Sequence, residues 1–126
     1  MKSRNTILIV EDEENLRDLL RLILEENGMK VLEAVDGVEA VEIFTAHQEE
    51  IAVVLSDIGL PRLGGWEAFL KMREINPEVK GILASGFFNP DVREEIIKSG
   101  AMDFISKPYN SAQIIRIVRE AIAEIK

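Results

Sequence analysis

The sequence contains no cysteine and a single histidine, His47. Without cysteine the chain has neither a disulfide framework nor thiolate ligands for a metal. One histidine cannot form a histidine metal cluster or complete an internal catalytic triad. His47 lies near the predicted end of a helix, next to glutamine and two glutamates, and this setting predicts a solvent-facing helix end. A metal site in this chain therefore has to be built from oxygen ligands.

Long apolar runs and an excess of positive charge are also missing. No stretch approaches the roughly 20 apolar residues that a transmembrane helix needs, and the N-terminus lacks the long apolar region of a signal peptide. No phosphate loop of the form G-x-x-x-x-G-K-S/T is present. The net charge of −8 and the pI near 4.7 disfavour direct nucleic-acid binding and favour cations or basic protein surfaces as partners.

The order of the apolar segments predicts the fold. Residues 1–126 are long enough for one domain with its own core, and short β-rich runs alternate with segments of helical periodicity. This alternation favours a single doubly wound α/β domain, with a parallel five-stranded sheet in the flavodoxin-like order 2-1-3-4-5 and helices on both faces. The strands are predicted at Thr6–Val10, Lys30–Ala34, Ile51–Leu55, Val79–Ala84 and Asp103–Ser106.

Glycine, proline and short polar side chains mark the predicted helix ends. Helix starts are predicted at Asp36 (with Glu39), Gly64-Gly65, Asn89-Pro90 and Asn110 (with Gln113), and helix ends at Gly28, Asn76-Pro77 and Gly100. The inward-facing helical residues are predicted to include Leu19, Leu20, Leu24, Val38, Val41, Phe44, Phe69, Met72, Ile75, Ile96, Ile117, Val118 and Ile125.

Acidic side chains follow two strands that this order makes neighbours. Asp57 stands at the carboxyl end of the third strand, where open α/β sheets bind their ligands. Glu11 and Asp12 come directly after the first strand, so we expect the three carboxylates to meet at one edge. Ser85 and Lys107 end the fourth and fifth strands on the same rim.

The three carboxylates predict a cation site. Without a basic partner among them they repel one another, and oxygen-only ligands suit Mg²⁺. An alternative is that Glu11 and Asp12 simply stabilise the start of the following helix. Asp57 is the predicted nucleophile for phosphoryl transfer, with Lys107 and Ser85 binding the phosphoryl oxygens. Taken singly, Lys107 also fits a solvated surface lysine and Ser85 a turn residue.

Four stretches, in this order and on these elements, resemble the receiver domain of two-component response regulators. The resemblance covers nearly the whole chain, and the combination is specific although each stretch alone is not. The stretches are Ile7-Leu8-Ile9-Val10-Glu11-Asp12-Glu13, Ser56-Asp57-Ile58-Gly59-Leu60-Pro61 with Gly65, Ile82-Leu83-Ala84-Ser85-Gly86, and Phe104-Ile105-Ser106-Lys107-Pro108-Tyr109.

The resemblance implies a metal-dependent phosphoacceptor. Asp57 accepts a phosphoryl group from a phosphohistidine on a histidine kinase or a histidine phosphotransfer domain. Asp12 and Asp57 ligate Mg²⁺, Glu11 acts mainly through a bound water, and the backbone carbonyl of Gly59 completes the protein ligands.

The resemblance also implies a switch. Ser85 and Phe104 form the switch pair, Lys107 pairs with the phosphoryl group, and the Lys107-Pro108 bond is cis. Phosphorylation then alters the surface of helix 4, strand 5 and helix 5. A domain of this kind is cytoplasmic, is not a multiple-turnover enzyme, and does not insert into membranes or contact nucleic acid directly. A phosphorylation-dependent homodimer is among its expected forms.

The chain departs from the family pattern at several positions. Serine stands at 85 where threonine is commoner, glycine at 86 where alanine is commoner, and Phe104 lacks a tyrosine hydroxyl. Gly59 and Phe87 occupy positions thought to tune the phosphoryl lifetime. The turn after strand 4 and the ending after strand 5 resemble receivers of hybrid sensor kinases more than receivers that drive DNA-binding outputs. A stand-alone regulator, a non-phosphorylated interaction module and an aspartyl-phosphate hydrolase remain alternatives.

Overall fold

A computed structural model describes residues 5–58, 63–86, 90–107 and 109–123. Within these ranges strands and helices alternate along the chain, as the apolar pattern predicts. The elements are β1 (Thr6–Val10), α1 (Glu14–Glu26), β2 (Lys30–Ala34), α2 (Gly37–His47), β3 (Ile51–Asp57), α3 (Gly65–Ile75), β4 (Lys80–Ser85), α4 (Pro90–Lys98), β5 (Asp103–Ser106) and α5 (Ser111–Ala123).

The strands form one parallel sheet in the order β2-β1-β3-β4-β5, which confirms the predicted doubly wound α/β fold. The register brings the carboxyl ends of the inner strands level. Val10 pairs with Ser56, so the residues after them, Glu11 and Asp57, begin the same edge. Asp57 in turn pairs with Ala84. This level edge is what brings side chains from four strands together.

The core lies on both faces of the sheet, because β1 and β3 are buried on both sides. One cluster contains Phe44, Phe69 and Ile96 from α2, α3 and α4, and packs against alternate residues of the strands. The other contains residues of α1 and α5, including Leu24 and Ile117. Helices therefore cover both faces, as the sequence predicts for a doubly wound domain.

The predicted helix ends are confirmed by local geometry. Gly28 and Gly100 follow α1 and α4 with φ angles of 84° and 109°, a region in which residues with a Cβ are strained. The Asp36 side chain accepts a hydrogen bond from the Glu39 amide at 2.8 Å. The Asn110 side chain likewise accepts one from the Gln113 amide at 3.0 Å. These side chains satisfy amides that the first helical turn leaves without a partner.

Three predictions of inward-facing residues were wrong. Leu19 is 45% exposed, and Val38 and Ile75 are each 37% exposed. Successive helical residues are about 100° apart around the axis, so Val38 lies almost opposite the buried Ala40. Ile75 is the last residue of α3. Apolar spacing predicts that a helix has an inner face. The exposure of residues at the border of that face depends on how far each neighbouring element extends.

Two further predictions concern the outer surface and the membrane. His47 ends α2, and its partly exposed imidazole lies 3.6 Å from a carboxylate oxygen of Glu50, as expected for a solvent-facing helix end. In the part of the chain described above, no helix combines the length and the apolar character needed to cross a bilayer.

Two predicted positions lie outside the described residues: Asn89, a predicted helix start, and Ile125, a predicted inward-facing residue.

Gly81 is the position where close packing between β4 and α3 leaves no room for a side chain. A Cβ at this position would overlap the ring of Phe69, which is fully buried. We expect Gly81→Ala to lower the free energy of unfolding by about 1–3 kcal/mol, measured by urea denaturation. Adding Phe69→Leu should make the Gly81→Ala change less costly. If Gly81→Ala lowered the free energy of unfolding by the same amount with phenylalanine and with leucine at position 69, the ring would not be the obstacle.

Candidate functional site

The carboxyl edge of the sheet gathers the polar residues that the sequence singles out. Glu11 follows β1, Asp57 ends β3, Ser85 ends β4 and Lys107 follows β5. β4 and β5 also end level with each other, because Ser85 pairs with Ser106, the residue before Lys107. One acidic group, one hydroxyl and one ammonium therefore share the carboxyl edge of the sheet with Asp57.

Glu11 is a carboxylate inside the protein, with 1% of its residue surface exposed. Its amide donates to the carbonyl of Ala34 at 3.1 Å, which joins it to β2. Its carbonyl accepts a hydrogen bond from Arg17 Nη1 at 2.9 Å. Its Oε2 accepts one from the Glu13 amide at 3.2 Å. These contacts hold both the backbone and the side chain of Glu11 in one orientation.

Lys107 joins the two buried acidic groups directly. Its Nζ donates to Asp57 Oδ2 at 2.7 Å and to Glu11 Oε1 at 2.9 Å. The side chains of Lys107 and Asp57 are 17% and 13% exposed, so solvent screens these ion pairs only weakly. The sequence-based expectation that the carboxylates lack a basic partner among them is therefore wrong. Lys107 already neutralises part of their charge.

Asp12 gives the cluster an open side. It is exposed, and one oxygen from each of Glu11, Asp12 and Asp57 lies within 4.8 Å of the others. The structure thus brings together the three carboxylates expected at this edge. A hard divalent cation that keeps several waters fits this donor set, because all three groups offer oxygen and Asp12 faces solvent. Gly59, the expected fourth ligand, and Pro108, with its expected cis bond, lie outside the described residues.

Burial and charge set the protonation behaviour of the site. Burial raises the pKa of Glu11 above its ordinary value of 4.5, although its hydrogen bonds with Lys107 and the Glu13 amide act in the opposite direction. Burial alone would lower the pKa of Lys107, but its hydrogen bonds to Asp57 and Glu11 outweigh it and the pKa is raised. Lys107 is therefore a firmly held ammonium at neutral pH.

Ser85 and Phe104 both lie in the interior. Ser85 is 8% exposed and Phe104 is 6% exposed. The Phe104 ring belongs to the same core cluster as Ile96 of α4, and the Ser85 carbonyl accepts a hydrogen bond from the Lys107 amide at 2.8 Å. The proposed switch pair is thus connected to α4 by packing and to Lys107 by the backbone. Phe87 lies outside the described residues.

Two residues have a role at the site that the sequence did not reveal. Tyr109 donates its hydroxyl to Glu11 Oε1 at 3.4 Å, and Lys107 Nζ lies 5.5 Å from the centre of its ring. Burial, followed by the negative charges of Glu11 and Asp57, raises the pKa of Tyr109 far above its ordinary range, so the hydroxyl keeps its proton. Gly65 begins α3 directly beneath Asp57, where a Cβ would overlap the Asp57 carbonyl oxygen.

Comparisons with known proteins agree on one family. The model of the response regulator receiver domain matches residues 7–119. The chain is 30% identical over 117 residues to the chemotaxis protein CheY of Bacillus subtilis, a match that covers 92% of this chain and 96% of CheY. It is 31% identical over 117 residues to the sensor kinase CckA of Brucella abortus, covering 93% of this chain but 12% of the kinase. A solved receiver domain protein of Clostridium thermocellum has a TM-score of 0.90 at 28% identity and 94% coverage of each chain.

Removal of the Lys107 ammonium tests the charge balance of the site. In Lys107→Met, burial raises the pKa of Glu11 further, so the folded state binds a proton more tightly than the unfolded state. The lost stability is therefore small near pH 5 and grows as the pH rises, and we expect about 2–4 kcal/mol near pH 7.5. Urea denaturation in EDTA at several pH values measures it.

A double variant supplies the control for this test. Glu11→Gln removes one of the two carboxylate partners of Lys107, so adding Lys107→Met in that background should introduce a smaller pH dependence than it does in the otherwise unchanged protein. If Lys107→Met lost the same stability at every pH in the otherwise unchanged protein, the pairing with Glu11 would not contribute to folding.

Proposed function

The chain belongs to the response regulator receiver domain family, and from this premise we propose that it is a phosphorylation-dependent switch whose acceptor is Asp57. Receiver domains are generally phosphoacceptor switches of two-component signalling. The observation that carries the proposal is the contact of Lys107 Nζ with Asp57 Oδ2 at 2.7 Å. It puts a fixed positive charge at the carboxylate that would receive a phosphoryl group.

The proposed donor is a phosphohistidine on a histidine kinase or a phosphotransfer domain. An oxygen of the Asp57 carboxylate attacks phosphorus, an O–P bond forms and the P–N bond breaks. The histidine nitrogen keeps the electron pair of the broken bond, and the imidazole takes up a proton from solvent. Such transfers depend mainly on positioning and on charge neutralisation, which a rigid rim can supply. The same chemistry makes this domain an acceptor that assists its own modification.

Receiver domains bind Mg²⁺ in an acidic pocket, and the acidic cluster at the carboxyl edge fits that ion. We assign Asp12 and Asp57 as direct ligands, Glu11 as a ligand through water, and the Gly59 carbonyl as a further ligand outside the described residues. When bound, Mg²⁺ supplies positive charge to phosphoryl oxygens. Asp12 suits direct ligation because it faces solvent, whereas Glu11 is held by its own hydrogen bonds.

Ser85 and Phe104 are the residues through which phosphorylation of Asp57 would change the surface of the domain. A phosphoryl group on Asp57 offers new acceptor oxygens, and the Ser85 hydroxyl at the end of β4 donates to one of them. Movement of Ser85 changes the space available to Phe104, whose ring shares a cluster with Ile96 of α4. The added charge at Asp57 is thereby passed to the surface of α4, β5 and α5. This surface is the proposed docking face for the output or for a second copy of the chain.

The acceptor is tested with a small phosphodonor and Mg²⁺, followed by intact-mass measurement. We expect one phosphoryl group on the wild-type protein and none on Asp57→Asn. Asp18→Asn is the matched control, since it alters an exposed aspartate of α1 and should leave labelling unchanged. Lack of labelling of the wild type, or equal labelling of Asp57→Asn, would rule the proposal out.

The metal assignment is tested separately by calorimetric titration with Mg²⁺. Asp12→Asn removes a proposed direct ligand, so we expect the Kd for Mg²⁺ to rise by about tenfold or more, which corresponds to roughly 1.4 kcal/mol. Chelation with EDTA should also stop labelling of the wild type. The assignment of Asp12 fails if Asp12→Asn binds Mg²⁺ as tightly as Asp18→Asn does.

A further inference from the structure

Tyr109 contacts both members of the buried ion pair at once. Its hydroxyl donates to Glu11 Oε1, the same oxygen that accepts from Lys107 Nζ. Its ring lies beside the Lys107 ammonium, with 5.5 Å between Nζ and the ring centre, a distance at which an aromatic face attracts a cation. The rest of the ring packs against the core cluster beneath α1 and α5. The aromatic body is thus anchored, while the hydroxyl lies at the site.

Lys107 has competing acceptors when the domain is modified. In the structure its ammonium is shared between Asp57 and Glu11. A phosphoryl group on Asp57 carries more negative charge than the carboxylate that it replaces, so it draws the ammonium away from Glu11. Glu11 is 1% exposed, so bulk solvent has little access to replace the lost contact, apart from the one water proposed to link Glu11 to Mg²⁺. Loss of a charged partner from a buried carboxylate is costly.

We propose that Tyr109 is a positioning residue for phosphoryl transfer: its ring guides the Lys107 ammonium, and its hydroxyl holds Glu11 when that ammonium moves to the phosphoryl group. The proposal rests on the proposed function of Asp57. The hydroxyl stays on Glu11 because the ring is fixed in the core. Glu11 therefore keeps a side-chain donor in both states, and Lys107 is released at a smaller cost.

Two substitutions separate the hydroxyl from the ring. Tyr109→Phe keeps the packing and removes the donor, whereas Tyr109→Leu also removes the aromatic face. With a small phosphodonor and Mg²⁺, we expect Tyr109→Phe to slow labelling of Asp57 about three- to tenfold, the range for loss of one ordinary hydrogen bond, since this contact is long at 3.4 Å. Tyr109→Leu should slow it further.

The hydroxyl acts through Glu11, and this gives a readout that a packing role would not produce. In a Glu11→Gln background, adding Tyr109→Phe should no longer slow labelling, because the charged acceptor is gone. The proposal is overturned if Tyr109→Phe slows labelling equally with glutamate and with glutamine at position 11. It is also overturned if Tyr109→Phe does not slow labelling in the otherwise unchanged protein.

A metal-free measurement makes this inference independent of labelling. Tyr109 is the single tyrosine of the chain, so tyrosine labelled with ¹³C at the hydroxyl-bearing carbon gives one NMR signal. In EDTA and without phosphodonor, that signal should shift in Glu11→Gln and stay in place in Asp18→Asn. No shift in Glu11→Gln overturns the contact. If the contact is present but the wild type is never labelled, the proposed function fails and the positioning role fails with it. If the wild type is labelled normally and Tyr109→Phe matches it, only the positioning role fails.

Discussion

The carboxylate of Glu11 is the constraint on which the site depends, because it is a charged group with almost no access to water. Such a group is tolerated only with partners, and the structure supplies the Lys107 ammonium, the Glu13 amide and the Tyr109 hydroxyl. Lys107 reaches Glu11 only because β1, β3 and β5 end at the same edge of the sheet. The parallel register therefore brings the partners of Glu11 together as well as pairing the strands.

The backbone around Asp57 links the proposed acceptor to the rest of the molecule. Gly65 lets α3 begin against the Asp57 carbonyl, where no side chain fits. Further along α3, Trp66 Nε1 donates to Ser99 Oγ at 3.0 Å and Arg73 donates to the Ser99 carbonyl, just after the end of α4. β3, α3 and the end of α4 are thus joined by direct contacts. The proposed modification of Asp57 would therefore have a packed connection to α4 in addition to the proposed one through Phe104.

The strand order and the meeting of the carboxylates could be predicted from the sequence because they follow from a few general rules. Alternating apolar segments specify a parallel sheet, and the ends of neighbouring strands bring Glu11 and Asp57 to one edge. The exposure of Val38 could not be predicted, because it depends on how α2 is rotated against the sheet. The Lys107–Glu11 pair and the Tyr109 hydroxyl depend on side-chain conformations after β5. Local spacing carries no signal for these contacts beyond the position of Tyr109 two residues after the predicted site lysine.

The charges at the edge explain why a divalent cation and the Lys107 ammonium suit the same site. The carboxylates of Glu11, Asp12 and Asp57 outnumber the one ammonium of Lys107, so a divalent cation brings the cluster close to neutrality. A phosphoryl group on Asp57 adds roughly one further negative charge, and no second lysine is hydrogen-bonded within this cluster among the described residues. In the proposed switch the response is a redistribution of partners, in which Lys107 shifts toward the new charge and Ser85 turns its hydroxyl to it. Because the Lys107 amide is hydrogen-bonded to the Ser85 carbonyl, we expect the two movements to be coupled.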